Sequence, residues 1–404
     1  LFAAFQAGVA AADPERAVSA ALAAHPPALP ARGGTLIAVG KAARKMTAAA
    51  MAATGPWDGP PIVVTNPENA APLDGARVFT AGHPVPDAGG QRAAEAVMAR
   101  LDAAGPGDCI VALISGGASA LLPAPAPGLT LADKIALNDL LLASGLDIGA
   151  MNLVRQHLSV LKGGGFLRRA QPARVVSYIL SDVIGDDLRI VGSGPTVGPV
   201  GPKSAARRLL QDTGLWPQLS APVQNVLAGS DTTDPLPETE THLIGSNTQS
   251  VAAMAEAVGA RISPTPLTGD VGAAATRILD EAAQLAPGDT LAFGGETTVE
   301  VTGSGLGGRN QELSLRVAIA AEARGFPRPW TFLSGGTDGR DGPTDAAGGI
   351  VDADTLSRMR STGIDPHAAL ADNASNAALA GAGDLLITGP TGTNVADLQL
   401  FCRG

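Results

Sequence analysis

Short apolar runs alternate with longer Ala- and Leu-rich stretches along most of the chain. Several runs are continuously apolar, which is typical of strands that helices cover on both faces. The runs that predict strands in the first half are 35–40, 61–65, 76–82, 109–115 and 173–181. The stretches that predict helices there are 41–53, 87–104, 130–145, 150–170 and 204–213. This alternation predicts an α/β fold with a mainly parallel sheet.

The alternation is interrupted at 214–240, which is rich in proline and polar residues. Such a segment favours a long connection, so we place a boundary there, with one domain at 1–235 and a second at 236–404. The second half alternates again, with helices predicted at 247–258, 270–285 and 310–324 and strands at 242–246, 289–294, 298–302, 331–334, 385–389 and 396–402. It is predicted to be a second α/β domain with a more mixed sheet.

The composition excludes several functional classes. The chain has 404 residues, a net charge of −10 and only 3% aromatic residues, whereas a nucleic-acid-binding protein is expected to have a basic face and aromatic side chains. No apolar run reaches the roughly 18 residues of a membrane span, and the N-terminal segment reads as an amphipathic helix instead of a signal peptide. We therefore expect a cytoplasmic protein that binds neither nucleic acid nor membranes.

The loops that follow the predicted strands are the first place to look for a ligand site, because ligands of open α/β sheets bind beyond the carboxyl ends of the strands. Gly40 permits a tight turn after the first strand, and Lys41 opens the next helix. A lysine at that position opposes the helix dipole. We interpret Lys41 as a candidate for contacting an anion; a solvated lysine is the alternative.

Two serine- and glycine-rich loops predict a phosphate site. The segment after the strand at 109–115 combines glycines, which allow close backbone approach, with hydroxyl donors. It is not a Walker A loop, and an ordinary turn is the alternative. A similar loop follows Asp182, a carboxylate suited to Mg²⁺. The candidate phosphate-binding residues are Ser115, Gly116, Gly117, Ser119, Ser193, Gly194 and Thr196.

The second half carries a further set of candidate residues. The glycines at 303–308 fit G-x-G-x-x-G formally, but no acidic residue ends a second strand about 20 residues later, as a dinucleotide site requires. Arg309 follows directly and is better suited to neutralising a transferred phosphoryl group. The loop at 334–345 is rich in aspartate, and the one at 388–394 in hydroxyl groups. The candidates are Glu296, Arg309, Asn310, Asp338, Thr391 and Asn394.

Taken together, these loops resemble those of the glycerate 2-kinase family, whose C-terminal half is the MOFRL domain. The matching segments are VGKAARKM (39–46), AGHPVPDAGG (81–90), LISGGASALLPAP (113–125), NLVRQHLSVLKGGGF (152–166), SYILSDVIGDDLRIVGSGPT (177–196), GGETTVEVTGSGLGGRNQEL (294–313), SGGTDGRDGPTDAAGGIVD (334–352) and LLITGPTGTNVADLQL (385–400). They occur in one order across nearly the whole chain.

The resemblance implies a Rossmann-like first domain, a distinct MOFRL-like second domain and an active site in the cleft between them. It implies a kinase that uses ATP and Mg²⁺ to convert D-glycerate to 2-phosphoglycerate, with Lys41 and Arg309 as its essential cations. Our hypothesis adds Asp338 as the acceptor of the hydroxyl proton. It places Asp182, Glu296 or Asp338 on Mg²⁺, and Lys41, Arg309, Asn310, Thr391 and Asn394 on glycerate. A homodimer is compatible with this assignment.

One segment departs from the family pattern. Where the family usually continues Lys-Tyr-Gly-His after the second strand, residues 65–70 read Thr-Asn-Pro-Glu-Asn-Ala. This change leaves the preferred hydroxy acid open. Two alternative functions remain: an NAD(P)H-dependent hydroxypyruvate reductase, and a non-catalytic protein that binds phosphorylated metabolites.

Overall fold

The structure, a computed structural model, describes residues 1–231 and 235–404. These residues form two compact units: Pro14–Ile244, here called the N-terminal unit, and Leu1–Asp13 with Gly245–Gly404, here called the C-terminal unit. The sequence pattern placed the boundary at 235/236, within a segment whose residues 232–234 lie outside the described part of the chain. It also assigned the N-terminal helix to the first domain. The structure places that helix in the C-terminal unit, where Ala4 and Phe5 are buried against Val251 and Met254.

The helices form where small and aliphatic residues recur on one face. Their bounds are α1 (Phe2–Ala11), α2 (Pro14–Ala24), α3 (Ala43–Ala53), α4 (Ala88–Asp102), α5 (Ala118–Leu121), α6 (Leu131–Ala143), α7 (Ile148–Gln156), α8 (Gly165–Ala170), α9 (Lys203–Asp212), α10 (Ala221–Ala228), α11 (Asn247–Glu256), α12 (Val271–Ala282), α13 (Arg309–Ala323), α14 (Thr355–Ser361), α15 (Pro366–Ala371) and α16 (Ser375–Ala382). No helix in the described ranges has the length and apolar character needed to cross a bilayer.

The strands coincide largely with the apolar runs. Their bounds are β1 (Thr35–Val39), β2 (Ile62–Thr65), β3 (Arg77–Thr80), β4 (Cys109–Ile114), β5 (Arg174–Leu180), β6 (Glu240–Gly245), β7 (Arg261–Ile262), β8 (Leu267–Asp270), β9 (Thr290–Thr298), β10 (Trp330–Gly336), β11 (Gly348–Asp352), β12 (Leu385–Leu386) and β13 (Asp397–Arg403). The two cysteines are free thiols; Cys109 is buried in β4, and Cys402 is half-buried.

The N-terminal unit is built on a six-stranded sheet with the order β3-β2-β1-β4-β5-β6. The pairs β1–β2, β1–β4, β2–β3 and β4–β5 are parallel. Every residue of β2 and β4 is buried, as expected for strands covered on both faces. The strand order reverses between β1 and β4, and such a switch point opens a crevice at the carboxyl ends of the two strands. The prediction of an α/β fold with a mainly parallel sheet is confirmed here.

The C-terminal unit has a mixed seven-stranded sheet with the order β12-β11-β10-β13-β9-β7, and β8 pairs with β9. Strand β13 is antiparallel to both of its neighbours, β9 and β10. The start of β13 therefore lies at the same edge of the sheet as the ends of β9 and β10. A core that includes Phe293, Phe332 and Phe401 holds α12 and α13 against the sheet. The predicted mixed sheet is confirmed.

Two predicted elements were wrong. The helix predicted at 150–170 is two helices, since α7 ends at Gln156 and α8 begins at Gly165. Gly163 and Gly164, directly before α8, adopt positive φ angles of 54° and 82° that are incompatible with a continuous helix. The strand predicted at 298–302 is absent beyond Thr298. The backbone N–H groups of Thr302 and Gly303 donate instead to the Asn373 side chain.

Candidate active site

The loops after β1 and β4 meet at the switch point of the N-terminal sheet. The Lys41 N–H donates to the Gly116 carbonyl over 2.9 Å, and the Ala42 N–H donates to the Ser115 hydroxyl over 3.1 Å. These bonds fix the backbone that carries Lys41 against the Ser115–Ser119 loop. The structure thus brings together the first two site features predicted from the sequence.

Glycine is required at two positions of this junction. Gly40 has a φ of 133°, and a Cβ atom there would lie 2.1 Å from the Ser115 hydroxyl oxygen. A Cβ atom at Gly116 would lie 2.0 Å from Asp182 Oδ2. Because only glycine avoids these clashes, the β1 and β4 loops and the Asp182 carboxylate can pack directly against one another.

Lys41 supplies positive charge to this junction. It is half-buried and forms no ion pair with a carboxylate in the described ranges. Burial lowers the pKa of His83, and the positive charge of Lys41 lowers it further. Burial raises the pKa of Asp182, and Lys41 opposes that rise. Lys41 therefore acts electrostatically on the surrounding side chains and remains available to an anion.

The predicted second phosphate loop lies directly behind the first. The hydroxyl oxygens of Ser119 and Ser193 are 2.9 Å apart, and Ser193 donates to Asn152 over 2.6 Å. Ser193 and Thr196 are fully buried, while Gly194 receives a hydrogen bond at its carbonyl from Gly164 N–H. Residues 193–196 are thus placed to support the Ser115–Ser119 loop from behind. Direct phosphate contact by Ser193, Gly194 and Thr196 stays a prediction.

The segment that departs from the family pattern borders the same junction. Thr65 Oγ1 donates to the Lys41 carbonyl over 3.3 Å. The side chains that follow form a small network, in which Asn66 donates to Glu68 over 2.5 Å and Asn69 donates to Asn66 over 2.8 Å. Polar, uncharged or acidic groups therefore lie beside Lys41 at this strand end.

Three basic side chains that lie next to the Ser115–Ser119 loop were not predicted from the sequence. Lys134, Arg155 and Lys162 line one pocket together with His83 and Ser119. Burial lowers the pKa values of all three, and the effect on Lys162 is reinforced by the charges of Lys134 and Arg155. The rarity of lysine, which first drew attention to Lys41, was the one sequence signal that could have found two of them.

Lys134 should make the free energy of unfolding depend on alkaline pH. Burial and, to a smaller extent, the positive charge of Arg155 lower the pKa of Lys134 from 10.5 to about 8. Between these values the unfolded chain binds more protons than the folded one, so the contribution of Lys134 to stability rises from about pH 8 toward 10.5 and is lost as the pH falls through 8. Urea unfolding of the wild type and Lys134→Met at about pH 7 and about pH 10 measures this component. The substitution should remove it; identical pH dependence in both proteins would contradict the assignment.

Arg309 lies at the edge of the C-terminal sheet where β9 and β10 end and β13 begins. It is the first residue of α13, and it donates to Asp397 through Nε over 2.6 Å and through Nη2 over 2.9 Å. Its Nη1 lies 2.8 Å from Glu296 Oε1. Burial lowers the pKa of Arg309, but its two carboxylate partners more than offset this, so the net shift is upward. The guanidinium is permanently charged, held in one orientation and 34% exposed.

Asp397, the main partner of Arg309, was not predicted from the sequence. It pairs with Gly295 of β9 and Gly336 of β10 in the sheet register, and its side chain is fully buried. Burial raises its pKa, while the hydrogen bonds and charge of Arg309 oppose the rise. The sequence did contain a signal for such a pair, because an aspartate within the apolar run at 396–402 requires a partner when that run is buried.

The aspartates of the loop at 334–345 serve different purposes. Asp341 is buried and caps α13, accepting bonds from the N–H groups of Asn310 over 3.1 Å and Gln311 over 2.9 Å. Asp345 is fully exposed at its side chain. Asp338 is exposed too, and it accepts a bond from the Arg340 N–H over 3.0 Å. The loop therefore carries one buried carboxylate with a structural role, that of Asp341, between the accessible carboxylates of Asp338 and Asp345.

Asp341→Ala should lower the free energy of unfolding by about 2–4 kcal/mol, because it leaves helix N–H groups and the buried Gln311 amide without their acceptor. Asp345→Ala, in the same loop, is the matched control and should leave stability nearly unchanged. Chemical denaturation of both variants tests this. Equal losses of stability in the two would show that Asp341 has no special role.

The remaining substrate-binding candidates surround the same sheet edge. Asn310 is buried and accepts a bond from the Ser334 hydroxyl over 2.6 Å. Thr391 donates to the Thr337 carbonyl over 2.6 Å, and Asn394 accepts from the Ala396 N–H over 3.2 Å. Thr391 and Asn394 are half-buried, so they retain access to a small molecule, whereas Asn310 is committed to holding α13. Substrate binding by these three residues stays a prediction.

The three candidate metal ligands are divided between the units. Asp182 belongs to the N-terminal unit, and Glu296 and Asp338 belong to the C-terminal unit. In the described part of the chain no group of three or more His, Cys, Asp or Glu side chains is placed to hold a metal ion. Glu296 already lies against Arg309. Metal binding by Asp182, Glu296 and Asp338 stays a prediction.

Two family models match the chain. Residues 1–228 match a family described as a domain of unknown function, DUF4147. Residues 289–397 match the MOFRL family. The two matches cover the elements that carry Lys41 and the Ser115–Ser119 loop on one side, and Arg309 and Asp338 on the other.

Individual proteins are similar over nearly the full length. The D-glycerate 2-kinase of Thermotoga maritima is 40% identical over 400 residues, which cover 95% of this chain and 93% of that protein. A protein of Agrobacterium vitis, provisionally assigned as a hydroxypyruvate reductase, is 39% identical over 417 residues, which cover 99% of this chain and 93% of that protein. The crystal structure of glycerate kinase from Thermotoga maritima is similar with a TM-score of 0.91 and 37% identity, covering 100% of this chain and 98% of that one.

Proposed function

The chain belongs to the glycerate 2-kinase family, and from this premise we propose that it transfers the γ-phosphoryl group of ATP to the 2-hydroxyl group of D-glycerate, giving 2-phosphoglycerate. The observation that carries the proposal is the junction of Lys41 with the Ser115–Ser119 loop at the switch point of the parallel sheet. Glycines that allow close backbone approach, hydroxyl donors and a lysine without an ion pair in the described ranges together suit a phosphate chain.

Phosphoryl transfer requires mainly positioning and neutralisation of charge. Lys41 contacts the γ-phosphoryl group, and the backbone N–H groups of the Ser115–Ser119 loop bind the phosphate oxygens. Arg309 binds the same phosphoryl group or the glycerate carboxylate. Because Asp397 fixes the guanidinium through two hydrogen bonds, little side-chain freedom is lost when the anion binds.

The donor chemistry fits Mg²⁺ held through Asp182 together with phosphate oxygens, since the Asp182 carboxylate lies directly beside Gly116 of the phosphate loop. The ion would neutralise charge on the phosphates. Glu296 and Asp338 are further candidates as ligands. Asp338 is also proposed to accept the proton of the attacking hydroxyl group; its exposure leaves it accessible to substrate.

A coupled assay of ADP release tests the proposal. Purified protein with ATP and Mg²⁺ should release ADP with D-glycerate and little with tartronate, hydroxypyruvate or lactate, and ³¹P NMR should identify 2-phosphoglycerate as the product. Loss of NADH absorbance with hydroxypyruvate, without ADP release from glycerate, would instead establish the reductase suggested by the name of the Agrobacterium relative. Ligand-induced thermal stabilisation without either reaction would establish a binding protein.

We also propose a cytoplasmic location and a homodimer. Light scattering measures the oligomeric state.

A further inference from the structure

A pocket of about 260 Å³ lies in the N-terminal unit next to the Ser115–Ser119 loop. Its positive side chains are Lys134 of α6, Arg155 of α7 and Lys162 of the connection before α8. We propose that this pocket, here called the cationic pocket, binds the polyphosphate chain of the nucleotide. The inference rests on the proposed function, because it states where the phosphate donor of that reaction is held.

The three basic side chains of the cationic pocket have no counter-charge in the described ranges. Lys134 and Lys162 are only 9% and 7% exposed, and neither they nor Arg155 form an ion pair with a described carboxylate. A buried cation without a counter-charge is costly, and bound anions remove that cost. A protein that keeps three such groups around one pocket is therefore prepared for a negatively charged ligand.

The hydrogen bonds of these three basic groups go to neutral acceptors. Lys134 Nζ donates to the Leu158 carbonyl over 3.1 Å, and Lys162 Nζ donates to the carbonyl and hydroxyl of Ser119 over 2.7 and 2.8 Å. Arg155 donates to the Asn138 side chain through Nη2, while its Nε is buried without a hydrogen-bond partner. The ammonium groups and guanidinium are thus oriented by neutral acceptors, and each retains donors.

The combination of charge and apolar surface favours a nucleotide over glycerate as the occupant. Glycerate carries a single carboxylate, which cannot balance three cations, whereas a nucleoside polyphosphate carries several negative charges. The pocket wall also includes Pro84, Pro86 and Leu137, and Leu142 at the wall is 58% exposed. This apolar surface suits a nucleoside, whereas a small hydroxy acid has no large apolar group that could pack against it.

The cationic pocket shares a wall with the Lys41 junction. Gly117 lines the pocket, and a Cβ atom placed on it would lie 3.1 Å from His83 Cδ2 and 3.2 Å from Lys41 Cγ. Ser119, which Lys162 holds, belongs to both features. A polyphosphate chain in the pocket therefore ends at the Ser115–Ser119 loop. Lys41 then faces the terminal phosphoryl group, and the three further cations bind the rest of the chain.

Isothermal titration calorimetry on the full chain tests this placement with inorganic tripolyphosphate and with ADP as probes. Asn138→Asp is the decisive variant, because it adds a carboxylate beside Arg155 with almost no change in shape. It should weaken binding of both probes about tenfold while leaving the unliganded melting temperature no lower. Arg155→Met should weaken binding similarly, and Arg155→Lys should restore part of it. Arg208→Met, the loss of one exposed cation on α9, is the control and should stay within about twofold of wild type.

Steady-state kinetics separates the nucleotide from the acid substrate. In Asn138→Asp the KM for ATP should rise about tenfold while the KM for glycerate changes less than about twofold. A rise confined to glycerate would place the acid in the pocket and overturn the inference. So would unchanged affinity for tripolyphosphate in every variant, or no binding of it by the wild type. If the wild type lacks kinase activity the proposed function fails, and calorimetry still decides the pocket.

Discussion

Lys41→Met should lower kcat by about a thousandfold or more, because it removes the one positive side chain that the β1 loop places at the phosphate loop. The fold should survive the change. Lys41 is half-buried and forms no ion pair in the described ranges, and the backbone bonds of the junction come from main-chain groups and Ser115. Coupled ADP-release kinetics, with a melting temperature for each protein, measures both effects.

Lys45→Met is the matched control, since it removes the same charge from the first turn of α3, a short distance after Lys41 in the chain. It should retain nearly full activity. If Lys41→Met kept more than about a tenth of the wild-type kcat, Lys41 would not be stabilising charge in the transition state. Equal losses in the two variants would show that only the general positive charge near the start of α3 matters.

Arg309→Met should also reduce kcat by about a thousandfold, and unlike Lys41→Met it should destabilise the protein. Arg309 is the cation that compensates the fully buried Asp397, so its removal leaves an unpaired carboxylate and costs about 3 kcal/mol or more of unfolding free energy. Activity must therefore be measured in a background where the buried charge is removed.

The double variant Arg309→Met with Asp397→Asn provides this background. Its free energy of unfolding should recover most of the loss, because no buried charge remains, while kcat stays as low as in the single variant. Asp397→Asn alone keeps the guanidinium but weakens its orientation, so it should lose activity only in part. Recovery of kcat together with stability in the double variant would show that Arg309 has a purely structural role.

The parallel core and the loops at its carboxyl edge could be predicted because their signals are local. Strands such as β4 are continuously apolar, and the glycine and serine residues after them mark the turn directly. Lys41 stood out for the same reason, as a rare lysine at a helix start. These features depend on residues adjacent in the chain, which a pattern of hydrophobic and polar positions records.

The rest of the site depends on contacts between distant segments. Asp397 and Arg309 are 88 positions apart in the chain, and no local sequence pattern near either residue indicates that they pair. The cationic pocket was missed because Lys134, Arg155 and Lys162 lie on three different segments. The last two were assigned to one helix, whereas in the structure α7 ends at Gln156, before Lys162. The packing of α1 on the C-terminal unit is equally invisible in the order of elements.

We propose that one pair of bound substrates is contacted by both Lys41 and Arg309. A crystal structure of the protein with ADP, Mg²⁺, aluminium fluoride and D-glycerate is the sharpest test. We expect Lys41 Nζ within hydrogen-bonding distance of the fluoride that stands for the transferred phosphoryl group, and the Arg309 guanidinium bonded to that group or to the glycerate carboxylate. A complex in which both substrates are bound and either cation points into solvent would contradict it.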